Sequence, residues 1–201
     1  MRKLCLLFLL IGTYCYAGER KYTVDSPDGK IQLAIIQTDA GELTYQLSVK
    51  RKQVIDASAL GFKTEDGLTF PFRGWKMGKV TRNKVNSVWK PLWGKRAVVP
   101  DKYNEMKLSF VNEAKSSDAL EVVARAYNEG VAFRYVSPQD AGSALELTTF
   151  NFAGDYTAWF YNGERHNIGP ERLTETDGER LPVMTVKAAD DLYLAVHEAC
   201  L

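Results

Sequence analysis

The sequence has 201 residues, and its 26 lysines and arginines nearly balance its 25 aspartates and glutamates, giving a formal net charge of +1. This balance gives no sign of a nucleic-acid-binding protein, whose surface is strongly basic. Hydrophobic residues make up 45% of the chain, which excludes a disordered protein. We therefore expect a folded protein without a nucleic-acid partner.

Residues 1–17 are typical of an export signal. Arg2 and Lys3 precede an apolar stretch, and Ala17 offers a small residue for cleavage. The stretch is shorter than the ~20 apolar residues of a membrane-spanning helix. We expect cleavage to leave residues 18–201 as one exported domain, periplasmic or secreted, with no membrane partner.

Loss of the signal would also remove Cys5 and Cys15 and leave Cys200 alone. No internal disulfide is then possible, although the destination is oxidising. Stability must come from a hydrophobic core, for which ~180 residues suffice.

Apolar and polar residues alternate along much of the chain, a pattern typical of strands with one buried face. The alternation predicts strands in four stretches: 31–35, 43–49, 106–110 and 192–196. Turn sequences separate such stretches at 26–29 and 38–41.

A β-hairpin is predicted where residues 119–127 meet residues 131–136 across Asn128-Glu129-Gly130. Three connecting residues that end in glycine are typical of a turn closed by a left-handed glycine, here Gly130. No stretch of about ten residues has the apolar spacing of a helix. We expect few and short helices and an all-β fold of antiparallel strands, a sandwich or a barrel.

Two segments, 84–104 and 153–180, lack clean alternation and are predicted to be long ordered loops. Sequence motifs for enzymes are scarce, since a glycine-rich phosphate loop, a nucleophile elbow and a paired-cysteine zinc site are all missing. His166 and His197 are the two histidines, which leaves few residues for a catalytic or zinc triad.

Aromatic residues of the two predicted loops are candidates for carbohydrate binding, because a sugar ring packs on an aromatic plane while nearby amides bind its hydroxyls. The candidates are Trp89, Trp93, Tyr103, Asn104 and Trp159. The alternative is that the rings fill the ends of the core, since large aromatics dominate burial.

Glu198 continues the alternation of Leu192, Leu194 and Val196, which places it at the rim of an apolar face. A carboxylate there must be paired, protonated or bound to a metal ion. Calcium prefers such oxygen ligands. The alternative is that the strand has already left the sheet and Glu198 lies in water. In the alternation, His197 falls on the face opposite to Glu198.

Several stretches together resemble the amino-terminal domain of glycoside hydrolase family 97. They occur in family order and are 26-SPDGKIQLAI-35, 89-WKPLWGKR-96, 101-DKYNEM-106, 125-RAYNEGVAFRY-135 and 192-LYLAVHEACL-201. The resemblance implies a large β-sandwich like that of galactose mutarotase, packed on a (β/α)8 barrel that carries the catalytic carboxylates.

The resemblance also implies an exported, calcium-dependent α-glucosidase or α-galactosidase acting on α-linked oligosaccharides or glycosides. One functional residue can be carried over, the glutamate of the His-Glu-Ala segment, here Glu198, as a calcium ligand. Lys95 replaces a common acidic residue of the family, and Asp101-Lys102 replaces a basic-polar pair, so loop contacts there are in question.

The family's sandwich continues beyond Leu201, so we expect a C-terminally incomplete domain that lacks the barrel and is inactive alone. The barrel would lie downstream or be separately encoded. Two other functions remain open: a stand-alone carbohydrate-binding module that uses the tryptophans, and an exported β-sandwich that mediates protein contacts.

Overall fold

The computed structural model describes residues 19–65, 67, 69–71, 74–113, 119–137, 142–161, 163 and 167–198. The expected signal, the three cysteines and His166 lie outside these residues, so the expectations about them stay predictions. Nowhere in the described residues is there a helix long and apolar enough to cross a membrane.

The described residues form fifteen strands and one short 3-10 helix, which confirms the expectation of few helices. The strands are β1 (Arg20–Asp25), β2 (Ile31–Gln37), β3 (Leu43–Val49), β4 (Lys52–Leu60), β5 (Phe62–Thr64), β6 (Thr69–Phe70), β7 (Trp75–Trp89), β8 (Val99–Asn112), β9 (Ala119–Tyr127), β10 (Val131–Val136), β11 (Ala144–Glu146), β12 (Thr157–Tyr161), β13 (Asn167–Arg172), β14 (Leu181–Ala189) and β15 (Leu192–Val196), and the helix is Leu173–Glu175.

The strands make four antiparallel sheets, named here by number. Sheet 1 has the order β1-β2-β3-β4, sheet 2 has β10-β9-β8-β7, sheet 3 has β11-β5-β6, and sheet 4 has β13-β12-β14-β15.

Sheets 1 and 2 share one hydrophobic core. Leu33 and Ile35 on β2 and Leu108 and Phe110 on β8 are fully buried in it. Their alternation along each strand matches the alternation in the sequence, because successive side chains of a strand point to opposite faces. The all-β antiparallel sandwich is therefore confirmed. Sheet 4 adds a smaller cluster around Ala158, Phe160 and Val186.

The predicted hairpin between β9 and β10 is present, but the prediction of a left-handed Gly130 is wrong. The Tyr127 N–H donates to the Gly130 carbonyl at 2.8 Å, so two residues rather than three form the turn. Gly130 then pairs like a strand residue and has no positive φ. The turns at 26–29 and 38–41 do end in left-handed glycines, Gly29 and Gly41.

The prediction that residues 84–104 form a loop is also wrong. β7 and β8 stay paired as far as Trp89 opposite Val99, although β9 accompanies β8 only from Tyr103 onward. Residues 84–104 therefore form a largely two-stranded projection, the β7–β8 arm. Both faces of the arm are mostly exposed, so pairing needs no apolar alternation there, and the sequence pattern gave no strand signal.

The second predicted loop, 153–180, contains β12, β13 and the 3-10 helix. Both strands are short, and a bulge interrupts their pairing between Ala158 and Phe160. Such an irregularity breaks the period of two on which the strand prediction depends.

Candidate functional site

Glu198 lies just beyond the last described strand. Leu192, Leu194 and Val196 are half-buried, whereas Tyr193 is exposed, so β15 has the alternation that the sequence predicted. The strand ends at Val196, and His197 and Glu198 are both exposed. Glu198 therefore lies beyond the strand and at the surface, as in the alternative expectation, and not at the rim of the apolar face; its carboxylate is accessible to a ligand or a partner.

An open cavity of about 680 Å³ lies beside β12 and β14 of sheet 4. Met184, the register partner of Val196, lines it together with Phe152 and Phe160. Arg180 also lines it, and the Nε of Arg180 is buried without a hydrogen-bond partner in the described part of the chain. The cavity thus combines apolar walls with a guanidinium that binds Asp177 and the Glu179 carbonyl through its terminal nitrogens but leaves its Nε without a partner.

Asp155 lies on the same cavity wall and is already engaged. The backbone N–H of Thr174 donates to it at 3.0 Å, and the Arg172 Nε donates at 2.8 Å. These hydrogen bonds lower the pKa of Asp155 below its usual range. The carboxylate stays ionised and anchors the 3-10 helix to the loop before β12.

The arm carries two of the predicted carbohydrate-binding residues. Trp89 is half exposed at the end of β7, and Trp93 is almost fully exposed in the connection between β7 and β8. Neither ring fills the core, so the alternative of core-filling aromatics does not describe these two residues.

Tyr103 and Asn104, at the base of the arm, have partners inside the domain. The Arg125 guanidinium lies 4.3 Å from the centroid of the Tyr103 ring, and the Tyr127 ring lies beside it at 5.0 Å. Burial raises the pKa of the Tyr103 hydroxyl. The Asn104 side chain donates to the Asp25 carbonyl at 2.7 Å. A carbohydrate-binding role for these two residues stays a prediction.

Trp159 lies in sheet 4, whereas the other four candidates lie on β7, β8 or their connection. The ring of Trp159 contacts that of Tyr193 on β15, with 6.4 Å between centroids. Sequence reasoning missed Tyr193, although its place in the alternation opposite to Leu192 and Leu194 could have marked it as an exposed aromatic.

Sequence reasoning also missed an ion pair beneath the arm. Glu105 is buried on β8 and accepts from the Arg125 Nε of β9 at 2.8 Å. The same guanidinium covers Tyr103, so one cation serves a carboxylate and a ring. The two residues are cross-strand neighbours, and their pairing depends on a register that the sequence does not reveal.

Comparison with known families gives one match that covers most of the chain. The family model described as glycosyl-hydrolase 97 N-terminal matches residues 24–201. The chain belongs to glycoside hydrolase family 97.

Two curated proteins show how this family 97 chain relates to longer members. It is 23% identical over 219 residues to a retaining alpha-galactosidase of Bacteroides thetaiotaomicron, a match covering 99% of this chain and 32% of that protein. It is 29% identical over 166 residues to a probable retaining alpha-galactosidase of Streptomyces bingchenggensis, covering 80% of this chain and 26% of that protein. The chain therefore spans a third or less of these relatives.

Solved structures of family 97 enzymes share the fold. Enzymes from Pseudoalteromonas sp. strain K8, in complex with panose or with acarbose, match with a TM-score of 0.61 and 34% identity. Each match covers 70% of this chain and 22% of the solved chain. A beta-arabinopyranosidase structure matches with a TM-score of 0.60 and 27% identity.

The described residues do not by themselves form a site for the calcium ion that the family resemblance implies. Calcium takes about six to eight oxygen ligands. Within the described residues, no group of three or more histidine, cysteine, aspartate or glutamate side chains is placed to hold a metal ion. An exposed carboxylate such as Glu198 could supply one oxygen ligand, and the remaining ligands would then come from outside the described residues.

Proposed function

We propose that this domain is the amino-terminal portion of an exported, calcium-dependent, exo-acting α-glycosidase, an α-glucosidase or an α-galactosidase. Its relatives support the reaction class, because two are named as retaining or probable retaining alpha-galactosidases. The panose and acarbose complexes of the Pseudoalteromonas enzyme support an α-linked oligosaccharide as the substrate.

In this proposal the domain packs on a (β/α)8 catalytic domain and presents Glu198 as one calcium ligand. The observation that carries the role is the exposure of Glu198 directly after β15, because the carboxylate is accessible and yet held close to a sheet. When bound, the calcium ion would polarise the substrate or organise the acid and base around the glycosidic bond. Glu198 itself does no proton transfer.

The first test uses the purified chain alone. Incubated with aryl α-glucoside and aryl α-galactoside in the presence of calcium, it is expected to give no turnover, because the catalytic carboxylates lie on the barrel. Robust and reproducible hydrolysis would refute the proposal that the catalytic carboxylates lie on a separate domain.

The second test joins the chain to its catalytic domain and compares Glu198→Ala with the unaltered protein. Calcium affinity by calorimetry and hydrolysis rate are both expected to fall. Glu129→Ala is the control, because Glu129 is an exposed glutamate in the turn after β9. Unchanged calcium affinity and turnover in the Glu198 variant would remove the ligand role.

A second function is favoured by the exposure of Trp89 and Trp93. Exposed indole rings can stack on sugars, so the chain would act as a stand-alone carbohydrate-binding module. Titration with malto-oligosaccharides or galactosides would then shift the tryptophan fluorescence, and Trp93→Ser would reduce the shift. A silent titration of folded protein rejects this function.

A further inference from the structure

The outer end of the β7–β8 arm exposes a cluster of large apolar side chains. Leu92 is 100% exposed and Trp93 is 88% exposed, and the full cluster is Val88, Trp89, Leu92, Trp93 and Val98. Monomeric domains rarely expose several such residues together, and a cluster of this kind marks an interaction site.

The apolar side chains cover both faces of the arm. Val88 pairs with Pro100, and the next residue, Trp89, pairs with Val99. Because successive residues of a strand point to opposite faces, the two pairs lie on opposite sides of the ribbon. A partner that covers both sides must enclose the arm in a cleft, whereas a flat surface or one sugar ring covers a single side.

The positive charge of the arm indicates that the cleft is acidic. Residues 84–104 contain five cations, Lys84, Lys90, Lys95, Arg96 and Lys102, and one acidic residue, Asp101. The arm thus concentrates positive charge in a chain whose total net charge is only +1. An acidic cleft would complement it and speed the encounter.

The relatives indicate which partner carries the cleft. This chain matches 32% of the Bacteroides alpha-galactosidase and 22% of each Pseudoalteromonas structure, so family 97 polypeptides contain far more chain than this domain. We propose that the β7–β8 arm inserts into an acidic cleft of the catalytic portion of its family 97 enzyme. This inference rests on the proposed function and assigns the surface through which the two portions join.

The experiment uses this chain and the catalytic portion encoded with it, either in the same reading frame or separately. Trypsin cleaves after lysine and arginine, so the exposed bonds after Lys95 and Arg96 report on the arm. Both bonds are expected to be cut readily in the chain alone and at least ~10-fold more slowly in the complex. Cleavage after Arg51, an exposed residue in the turn between β3 and β4, serves as the internal reference.

Variants separate the arm from other surfaces. The double variants Leu92→Ser/Trp93→Ser and Lys95→Glu/Arg96→Glu are each expected to weaken the complex at least ~10-fold, and the charge variant also to reduce its salt dependence. The matched controls are Leu145→Ser and Lys63→Glu, an exposed apolar residue and its cross-strand lysine in sheet 3, which are expected to leave affinity unchanged.

Each contrary result has a distinct meaning. A complex that forms with the arm cleaved as fast as in the free chain overturns this inference and leaves the proposed function standing. Protection of the arm by maltotriose alone also overturns it, in favour of sugar binding. Failure of the unaltered chain to bind any catalytic portion overturns both.

Discussion

The side chain of Asn104 donates a hydrogen bond to the backbone carbonyl of Asp25, with 2.7 Å between Nδ2 and O. Asp25 ends β1, the edge strand of sheet 1, while Asn104 belongs to sheet 2. Arg82, also in sheet 2, donates to the Thr23 carbonyl on the same edge at 2.5 Å. Sheet 2 therefore satisfies carbonyl groups that an edge strand would otherwise leave open, and this contact joins the two sheets.

Removing this contact is expected to weaken the sandwich. Asn104→Ala loses one hydrogen bond to an exposed carbonyl, which lowers the free energy of unfolding by about 1 kcal/mol. Urea unfolding followed by tryptophan fluorescence measures the change. Asn86→Ala, at an exposed position further along the arm, is expected to have no effect, and equal losses from the two variants would contradict the role of Asn104.

Breaking the ion pair of Glu105 and Arg125 is expected to cause a larger loss of stability. Glu105→Ala leaves the guanidinium of Arg125 partly buried without its carboxylate, which costs about 2 kcal/mol because water reaches part of Arg125. Glu105→Gln keeps an acceptor and is expected to lose about half as much.

The control for Glu105 is Glu113→Ala, which removes a solvent-exposed ion pair with Lys76 at 3.9 Å. That loss is expected to stay below about 0.5 kcal/mol. Thermal and urea unfolding compare the variants, and a Glu105→Ala variant as stable as Glu113→Ala would show that the buried pair adds nothing.

Asp28 makes the stability of the domain depend on pH in the acid range. The Ser26 hydroxyl donates to its carboxylate at 2.7 Å and the Lys30 N–H at 3.1 Å, which lowers the pKa from 3.8 to about 2. Because the pKa is lower in the folded state, ionised Asp28 stabilises the fold fully above the pKa of the unfolded chain. This stabilisation disappears as the pH falls from about 4 to about 2.

For Asp28→Asn, the free energy of unfolding is therefore expected to fall less between about pH 6 and about pH 2 than it does for the unaltered chain. The urea midpoint at each pH measures the loss. Asp39→Asn, in the next turn, controls for the removal of a charge, and the same pH dependence in both variants would argue against the Asp28 hydrogen bonds.

The turn between β3 and β4 offers a stabilising substitution. Lys50 and Arg51 both have positive φ, 50° and 69°, although neither is a glycine. Side chains in this region cost about 1–2 kcal/mol per residue, and a two-residue hairpin turn of this kind prefers Asn-Gly. Lys50→Asn with Arg51→Gly is expected to raise the free energy of unfolding by about 1 kcal/mol, after loss of the exposed pair with Asp191.

Urea unfolding measures the gain, and Glu129→Gly provides the comparison. The non-glycine residues of the turn after β9 have no positive φ, so glycine there is expected to bring no gain. A similar rise in the free energy of unfolding in both variants would mean that the gain does not come from relieving the positive φ of Lys50 and Arg51.

The sequence predicted those strands whose two faces differ. β3, β9 and the inner part of β8 each place one face in the core of sheets 1 and 2, so burial leaves a period of two in the sequence. The arm, by contrast, is exposed on both faces. It is held by backbone pairing between β7 and β8, which no pattern of side chains records.

The candidate site was predicted only as far as single residues. The alternation up to Val196 predicted Glu198 at the rim of an apolar face, whereas the strand ends at Val196 and Glu198 is exposed two residues beyond it. The pairing of Glu105 with Arg125 and the separation of Trp159 from the arm depend on strand order and register, which arise from contacts between distant parts of the chain. The other ligands of the proposed calcium site could not be predicted from this sequence for a further reason, since they would belong to another portion of the enzyme.

The outer edge of β7, with which no described strand pairs, affects how two copies of the domain can associate. In the described strands β7 pairs only with β8, so fifteen residues of its outer backbone lie open to another chain. Lys76, Lys79 and Lys84 are exposed residues of β7, and a second copy aligned along its outer edge would bring like charges together. Salt weakens this repulsion. We expect fibrillar self-association to be slow in dilute buffer and to accelerate as ionic strength rises.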